Sequence, residues 1–155
     1  MSVILDLQVA SDAAPLPTAL QLQEWVTLIL SDRVNSAELT IRIVDEKEST
    51  YLQNKYCRKQ GPTNVLSFPV EIDPQFNSSL LGDIIICAPV IAKEAVSYNK
   101  GLWAHWAHMV AHGTLHLLGY THDSTPEAEV MERIETEILI KLGYPPPYSE
   151  YMANT

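Results

Sequence analysis

The stretch from Leu102 to Leu118 constrains this chain more than any other. At about 100° per residue, its apolar side chains cover most of the circumference of a helix, and such a helix must be enclosed by the rest of the fold. On the same wheel His105, His108, His112 and His116 fall within an arc of roughly 80°. Enclosing the helix therefore carries a stripe of imidazoles inward, where polar groups require hydrogen-bond partners or an ion.

The other elements read as what such a helix packs against. Val3 to Val9 alternates apolar residues with Asp6 and Gln8, and Leu39 to Val44 alternates around Arg42, the period of half-buried strands. Val65 to Phe68 follows a break at Gly61-Pro62, and Ile84 to Cys87, after Gly82, is the short continuous apolar run of a buried strand. Thr18 with Gln21 fits a capping box ahead of a helix ending at Ser31, and Asp45 with Glu48 caps a polar helix reaching about Tyr56. Asp73 to Ser79 reads as a loop. Pro89 suits the first turn of a helix to about Asn99. Ser124 with Glu127 opens the last helix, which places Met131, Ile134, Ile138 and Leu142 on one face before Gly143, and Pro145 to Pro147 makes the tail extended. Trp25, Trp103 and Trp106 lie on apolar helices and read as core rather than as base-stacking platforms. The elements read as four strands and about five helices, with the His-bearing helix central and buried. With 155 residues and no repeat or linker, residues 1–155 read as a single domain.

The apolar fraction of 46% and charged fraction of 19% exclude a membrane protein, since no apolar run approaches the length that spans a bilayer. The N-terminus has no basic region and meets Asp6 early, so it does not read as a signal peptide, and the expected location is the cytoplasm. Cys57 and Cys87 lack metal-ligand spacing and read as thiols. The net charge of −9 argues against tight non-specific nucleic-acid binding. It is unevenly spread, however: Tyr51 to Val70 holds Lys55, Arg58 and Lys59 with no acid, which leaves room for a confined phosphate contact.

His112 and His116, at i and i+4, lie one helical turn apart and can reach one ion. Gly119 supplies a left-handed residue that ends the helix and turns the chain, and His122 then faces the other two. Three imidazoles with no protein fourth ligand are the pattern of a catalytic zinc site, with the remaining position open to water. The spacing H-x-x-x-H-x-x-G-x-x-H is that of metzincin peptidases, but their general base follows the first histidine, and Gly113 occupies that place. This disfavours peptide hydrolysis and is compatible with phosphodiester cleavage.

Four separated motifs, Pro62-Thr63-Asn64-Val65-Leu66-Ser67-Phe68-Pro69, Leu81-Gly82-Asp83, Ala104-His105-Trp106-Ala107-His108, and His112-Gly113-x-Leu115-His116-Leu117-x-Gly119-Tyr120-x-His122, closely resemble the YbeY family of bacterial endoribonucleases in content, order and spacing. The resemblance implies an α+β fold with a small mixed four-stranded sheet packed with about five helices, one Zn2+ per chain on His112, His116 and His122, and single-strand-directed cleavage of ribosomal RNA linked to maturation of the small-subunit (16S) 3′ end and to ribosome quality control. It also implies the ribosome or its proteins as partners, with neither DNA nor membrane among them. Imidazole also suits other divalent first-row ions.

Two positions depart from the family pattern. The family's catalytic arginine aligns with Cys57, which cannot offer the bidentate fork of a guanidinium, so Arg58, one residue on, is the catalytic candidate. Thr121 stands where an aspartate usually precedes the last histidine. Lys55, Lys59 and His108 are the candidate RNA contacts. Against the nuclease stand a zinc peptidase, which lacks a base, and a non-catalytic ribosome-assembly factor with a structural ion, which the net acidity fits.

Overall fold

In the computed structural model, which describes residues 2–57, 63–71 and 78–148, the expected elements occur in the expected order. Strand β1 (Ser2–Ala10), helix α1 (Ala19–Leu30), strand β2 (Ser36–Val44) and helix α2 (Glu46–Leu52) are followed by a π-helical turn at Gln53–Cys57. Strands β3 (Val65–Pro69) and β4 (Leu80–Cys87) precede helices α3 (Ala88–Ser97), α4 (Leu102–Leu117) and α5 (Thr125–Lys141). The four strands form one mixed sheet in the order β1-β2-β4-β3. β1, β2 and β4 run parallel and β3 runs antiparallel to β4 along its edge.

Alternation along the strands decides which face is buried. Ala37, Leu39, Ile41 and Ile43 of β2, with Ile84 and Ile86 of β4, point toward α1 and α4 and join the main core. Val44, Leu66, Ile85 and Cys87 form a smaller cluster on the opposite face, packed by Leu52, Phe68 and Val90. Helix α4 behaves as its circumference requires. It packs against α1, α3, α5, β3 and β4, and 11 of its 16 residues are buried, so it is the centre of the fold rather than a surface layer. Trp25 and Trp106 are buried and Trp103 packs against the same core, in agreement with the packing reading.

Two N-terminal caps read alike in the sequence behave differently. Thr18 and Gln21 form the reciprocal capping box at α1. Asp45 precedes α2, but its carboxylate accepts from the Ser11 hydroxyl and from the Asp12 backbone instead of capping the helix. Glu48 is drawn away too, into a bidentate ion pair with Arg42 at 2.6 and 2.9 Å. Tertiary partners have outcompeted the local cap there. The reading of α2 as one polar helix to about Tyr56 is also corrected, since the α-helix ends at Leu52 and a wider π-turn continues to Cys57. The loop expected at Asp73 to Ser79 lies mostly outside the described residues. No helix among the described residues is long and apolar enough to cross a membrane.

Candidate metal centre

The C-terminus of α4 is where the chain brings its histidines together. Leu118 caps the helix, and Gly119 takes φ +100°, the left-handed conformation that favours glycine. The Tyr120 N–H then donates to the Leu115 carbonyl at 3.1 Å and the Gly119 N–H to the His116 carbonyl at 3.0 Å, the paired bonds of a Schellman turn. That turn has two products. It reverses the chain so that His122 approaches the helix, and it leaves the Tyr120 carbonyl free to accept from His116 Nδ1–H at 2.8 Å.

One nitrogen from each of His112, His116 and His122 lies within 4.8 Å of the others, as their spacing predicts. The second nitrogens of the two helical rings show what the group is suited to hold. His116 Nδ1 faces a carbonyl, and His112 Nδ1 faces Oε1 of Glu135 at 2.8 Å; both partners accept only, so both Nδ1 atoms carry the proton. The two Nε2 atoms therefore present lone pairs to each other at 3.0 Å. Two nitrogens of a tetrahedral zinc site, at bonds of roughly 2.0–2.1 Å, stand about 3.3 Å apart, so a cation placed between them would resolve the apposition. Burial holds His116 below its ordinary value, the neighbouring His112 adds to this, and the ring is kept in the neutral form that binds a cation. The residues fit a divalent ion.

Behind His112 lies a group the sequence reading missed. Glu135 of α5 is 1% exposed, and its second oxygen accepts from His108 Nε2 at 2.8 Å and from the Tyr148 hydroxyl at 2.6 Å. Burial alone would raise its pKa, but the hydrogen bonds from His108 and His112 outweigh it and bring the carboxyl to about 2. Because the folded value lies below the ordinary 4.5, folding is stabilised above pH 4.5 and that contribution is lost as the pH falls toward 2. For the ion-free protein the contribution is on the order of 3 kcal/mol. Acid titration of unfolding should show that loss in the wild type and its absence in Glu135→Gln; equal acid limbs would refute it.

His105 is held in the same manner one turn earlier. It bonds Glu94 of α3 at 2.9 Å, and Glu94 also accepts from the Asn64 amide. The signal for both acids was a carboxylate on a helix face otherwise apolar: Glu135 lies four residues after Met131, and Glu94 three after Ile91, both buried.

His112, His116 and His122 line a cleft of about 450 Å³ with Gln53, Thr63, Asn64, Ser67, Pro69, Tyr120 and Thr121. The edge strand β3 forms one wall. Gly113 lies at the junction: a Cβ there would stand 2.9 Å from Ile84 Cγ2 and 3.2 Å from Val65 Cγ2, and its carbonyl accepts from the Ser67 hydroxyl. The place of the peptidase base is thus occupied by the sheet. Thr121 donates to the Glu127 carboxylate.

The other expected site residues are distributed unequally. His108 is 6% exposed and committed to Glu135 and Tyr148, which places it behind His112 rather than on an RNA-facing surface. Lys55 is exposed, with its ammonium on the Tyr51 hydroxyl at 3.3 Å and over the Tyr51 and Tyr56 rings. Arg58 and Lys59 lie outside the described residues, as does the side chain of Cys57.

The family model for "Endoribonuclease YbeY" matches residues 10–143, which include all three cleft histidines and Glu135. The chain belongs to the endoribonuclease YbeY family. The fold is also similar to the solution structure of TM1509 from Thermotoga maritima, at 20% identity and a TM-score of 0.56, covering 96% of this chain and 93% of that one. The YbeY match ends at residue 143, before Tyr148.

Proposed function

We propose that this protein is a single-strand-specific, metal-dependent endoribonuclease that matures ribosomal RNA at the 3′ end of the 16S molecule and takes part in ribosome quality control. The observation that carries the reading is the pair of Nε2 lone pairs facing each other at 3.0 Å beside His122, on the wall of an open cleft. Family membership supports RNA as the substrate class. His112, His116 and His122 would hold one zinc ion, which when bound supplies Lewis acidity toward water and a phosphoryl oxygen.

The chain's own residues define the rest of the chemistry. Glu135 and the Tyr120 carbonyl fix the ring tautomers that leave Nε2 available. Thr63, Asn64, Ser67 and Gln53 line the cleft with neutral polar side chains, of which the Asn64 amide is committed to Glu94 and the Ser67 hydroxyl to the Gly113 carbonyl. Phosphate charge falls to the basic window: Arg58 as the bidentate group, with Lys55 and Lys59 beside it. No carboxylate is among the described residues that line the cleft, which disfavours the peptidase alternative. A net charge of −9 supports a ribosomal protein as co-partner, supplying RNA affinity that the chain lacks in bulk, in the cytoplasm.

Untagged protein should carry one zinc ion per chain by elemental analysis and cleave a single-stranded fragment of ribosomal RNA. Cleavage should disappear with a chelator and return with zinc. One ion without cleavage, with ribosome association retained, would instead favour the non-catalytic assembly factor.

A further inference from the structure

Glu135 is the buried acid that connects the candidate metal centre to the end of the described chain. Its carboxylate receives three donors: His112 Nδ1–H on one oxygen, and His108 Nε2–H and the Tyr148 hydroxyl on the other. Two of these come from α4, one turn apart, so α4 presents two imidazoles to the one acid that α5 brings to them. The third arrives by a second Schellman turn. At the end of α5 Gly143 takes φ +91°, the Tyr144 N–H donates to the Leu139 carbonyl at 2.9 Å, and the chain folds back to place Tyr148 on Glu135.

The tautomers follow from the donor inventory. His108 Nδ1 is buried with no hydrogen-bond partner among the described residues. A proton there would be an orphan, whereas a proton on Nε2 meets Glu135, so Nε2 is the nitrogen that donates. With its second oxygen taken up by His108 and Tyr148, Glu135 can offer its first oxygen to His112 only as an acceptor. His112 must then be protonated at Nδ1 and bare at Nε2, the atom that faces the cleft and His116. His116 reaches the same tautomer through a neutral backbone carbonyl. The two helical ligands are thus held by different means: one by a neutral acceptor that any sequence supplies, the other by a buried anion that only this set of side chains sustains.

We propose that Glu135 is the positioning residue of the metal centre: clamped by His108 and Tyr148, it fixes the tautomer and ring plane of His112 and thereby sets the affinity for the ion. The inference rests on the reading of His112, His116 and His122 as ligands and deepens it. Its physical content is that an anion on the far nitrogen raises the basicity of the near one and offsets part of the ion's charge in a site whose three imidazoles bring none. It also makes the segment from Gly143 to Tyr148 part of the centre.

Glu135→Gln separates this role from mere packing. The amide keeps the shape but has one acceptor and one donor end, and it faces ring N–H groups on both sides. One ring must therefore change tautomer. In the full-length protein, zinc affinity by competition with a chromophoric chelator should fall by about 10- to 100-fold. Nitrogen shifts of the ion-free protein should show His112 moving from the Nδ1–H toward the Nε2–H form while His116 stays Nδ1–H. Tyr148→Phe, which removes one donor at a half-buried position, should shift both readouts in the same direction by less, and it decides the matter if Glu135→Gln does not fold. Wild-type zinc affinity and an unchanged His112 tautomer in these variants would overturn the proposal. Failure of the wild type itself to take up zinc would overturn the ligand reading instead, and the His112 tautomer would still report whether Glu135 holds the ring.

Discussion

Replacing Gly113 by glutamate, which completes the peptidase-type H-E-x-x-H pattern, is expected to unfold the protein rather than create a peptidase. A Cβ at this position would lie 2.9 Å from Ile84 Cγ2, 3.2 Å from Val65 Cγ2 and 3.3 Å from Ser67 Oγ, on two strands of the sheet that α4 rests on. Gly113→Ala isolates the contact. Alanine gains up to about 1 kcal/mol of helix propensity over glycine, whereas overpacking a fixed helix–sheet contact costs about 1–3 kcal/mol. The contact below 3.0 Å decides the sign against alanine. Lifting α4 to relieve it would also lengthen the bond from Ser67 to the Gly113 carbonyl, 3.1 Å in the native structure. Glutamate adds a carboxylate where the nearest atoms belong to Ile84, Val65 and Ser67, and the combined cost should exceed about 4 kcal/mol. Urea unfolding checks both variants. Gly113→Ala as stable as the wild type would show that the helix–sheet contact is loose, and the argument against a glutamate there would fall with it.

Local signals were legible wherever only local groups compete. Thr18 and Gln21 sit at an exposed helix start with no tertiary rival, and their capping box forms as read. Asp45 and Glu48 carry the same local signal, but Ser11, Asp12 and Arg42 reach them from elsewhere in the fold, and no periodicity reveals those partners. Gly119 was legible for the same reason as Thr18, since the turn it makes is closed by bonds within five residues. β1 and β2 were legible as alternation, β4 as a continuous apolar run and β3 from the break before it, but the β1-β2-β4-β3 order was not, because such patterns do not name a neighbour.

The candidate site divides along the same line. The three cleft histidines lie within eleven residues and could be read from spacing. Glu135 lies 23 residues beyond His112, on a helix whose apolar face it interrupts. That interruption was the available sign, since an acid is rarely buried without a partner. Its partner was not available from sequence, because it depends on how α4 and α5 cross. Tyr148 was further out of reach: three prolines predict an extended segment but not its direction, which Gly143 sets. The same crossing accounts for His108, whose place in the stripe matches that of the cleft histidines but whose partner turns it inward.

Removing His116 should abolish ion binding while leaving the ion-free fold almost intact. In the ion-free chain His116→Ala loses the Nδ1–H bond to the Tyr120 carbonyl, a net loss of about 1 kcal/mol. It also removes one of two lone pairs opposed at 3.0 Å, which acts in the other direction. The ring is only half-buried at the cleft wall, so little cavity is left behind. The stability of the ion-free variant should therefore stay within about 1 kcal/mol of the wild type. With zinc the two proteins should diverge. An ion at a thousand times its dissociation constant stabilises the folded state by about 4 kcal/mol, and the variant, left with His112 and the exposed His122, should gain almost none of this. Urea unfolding with and without zinc reads the difference, and RNA cleavage by the same samples should follow ion content. Equal stabilisation of the variant and the wild type by zinc would place the ion elsewhere and remove His116 from the centre.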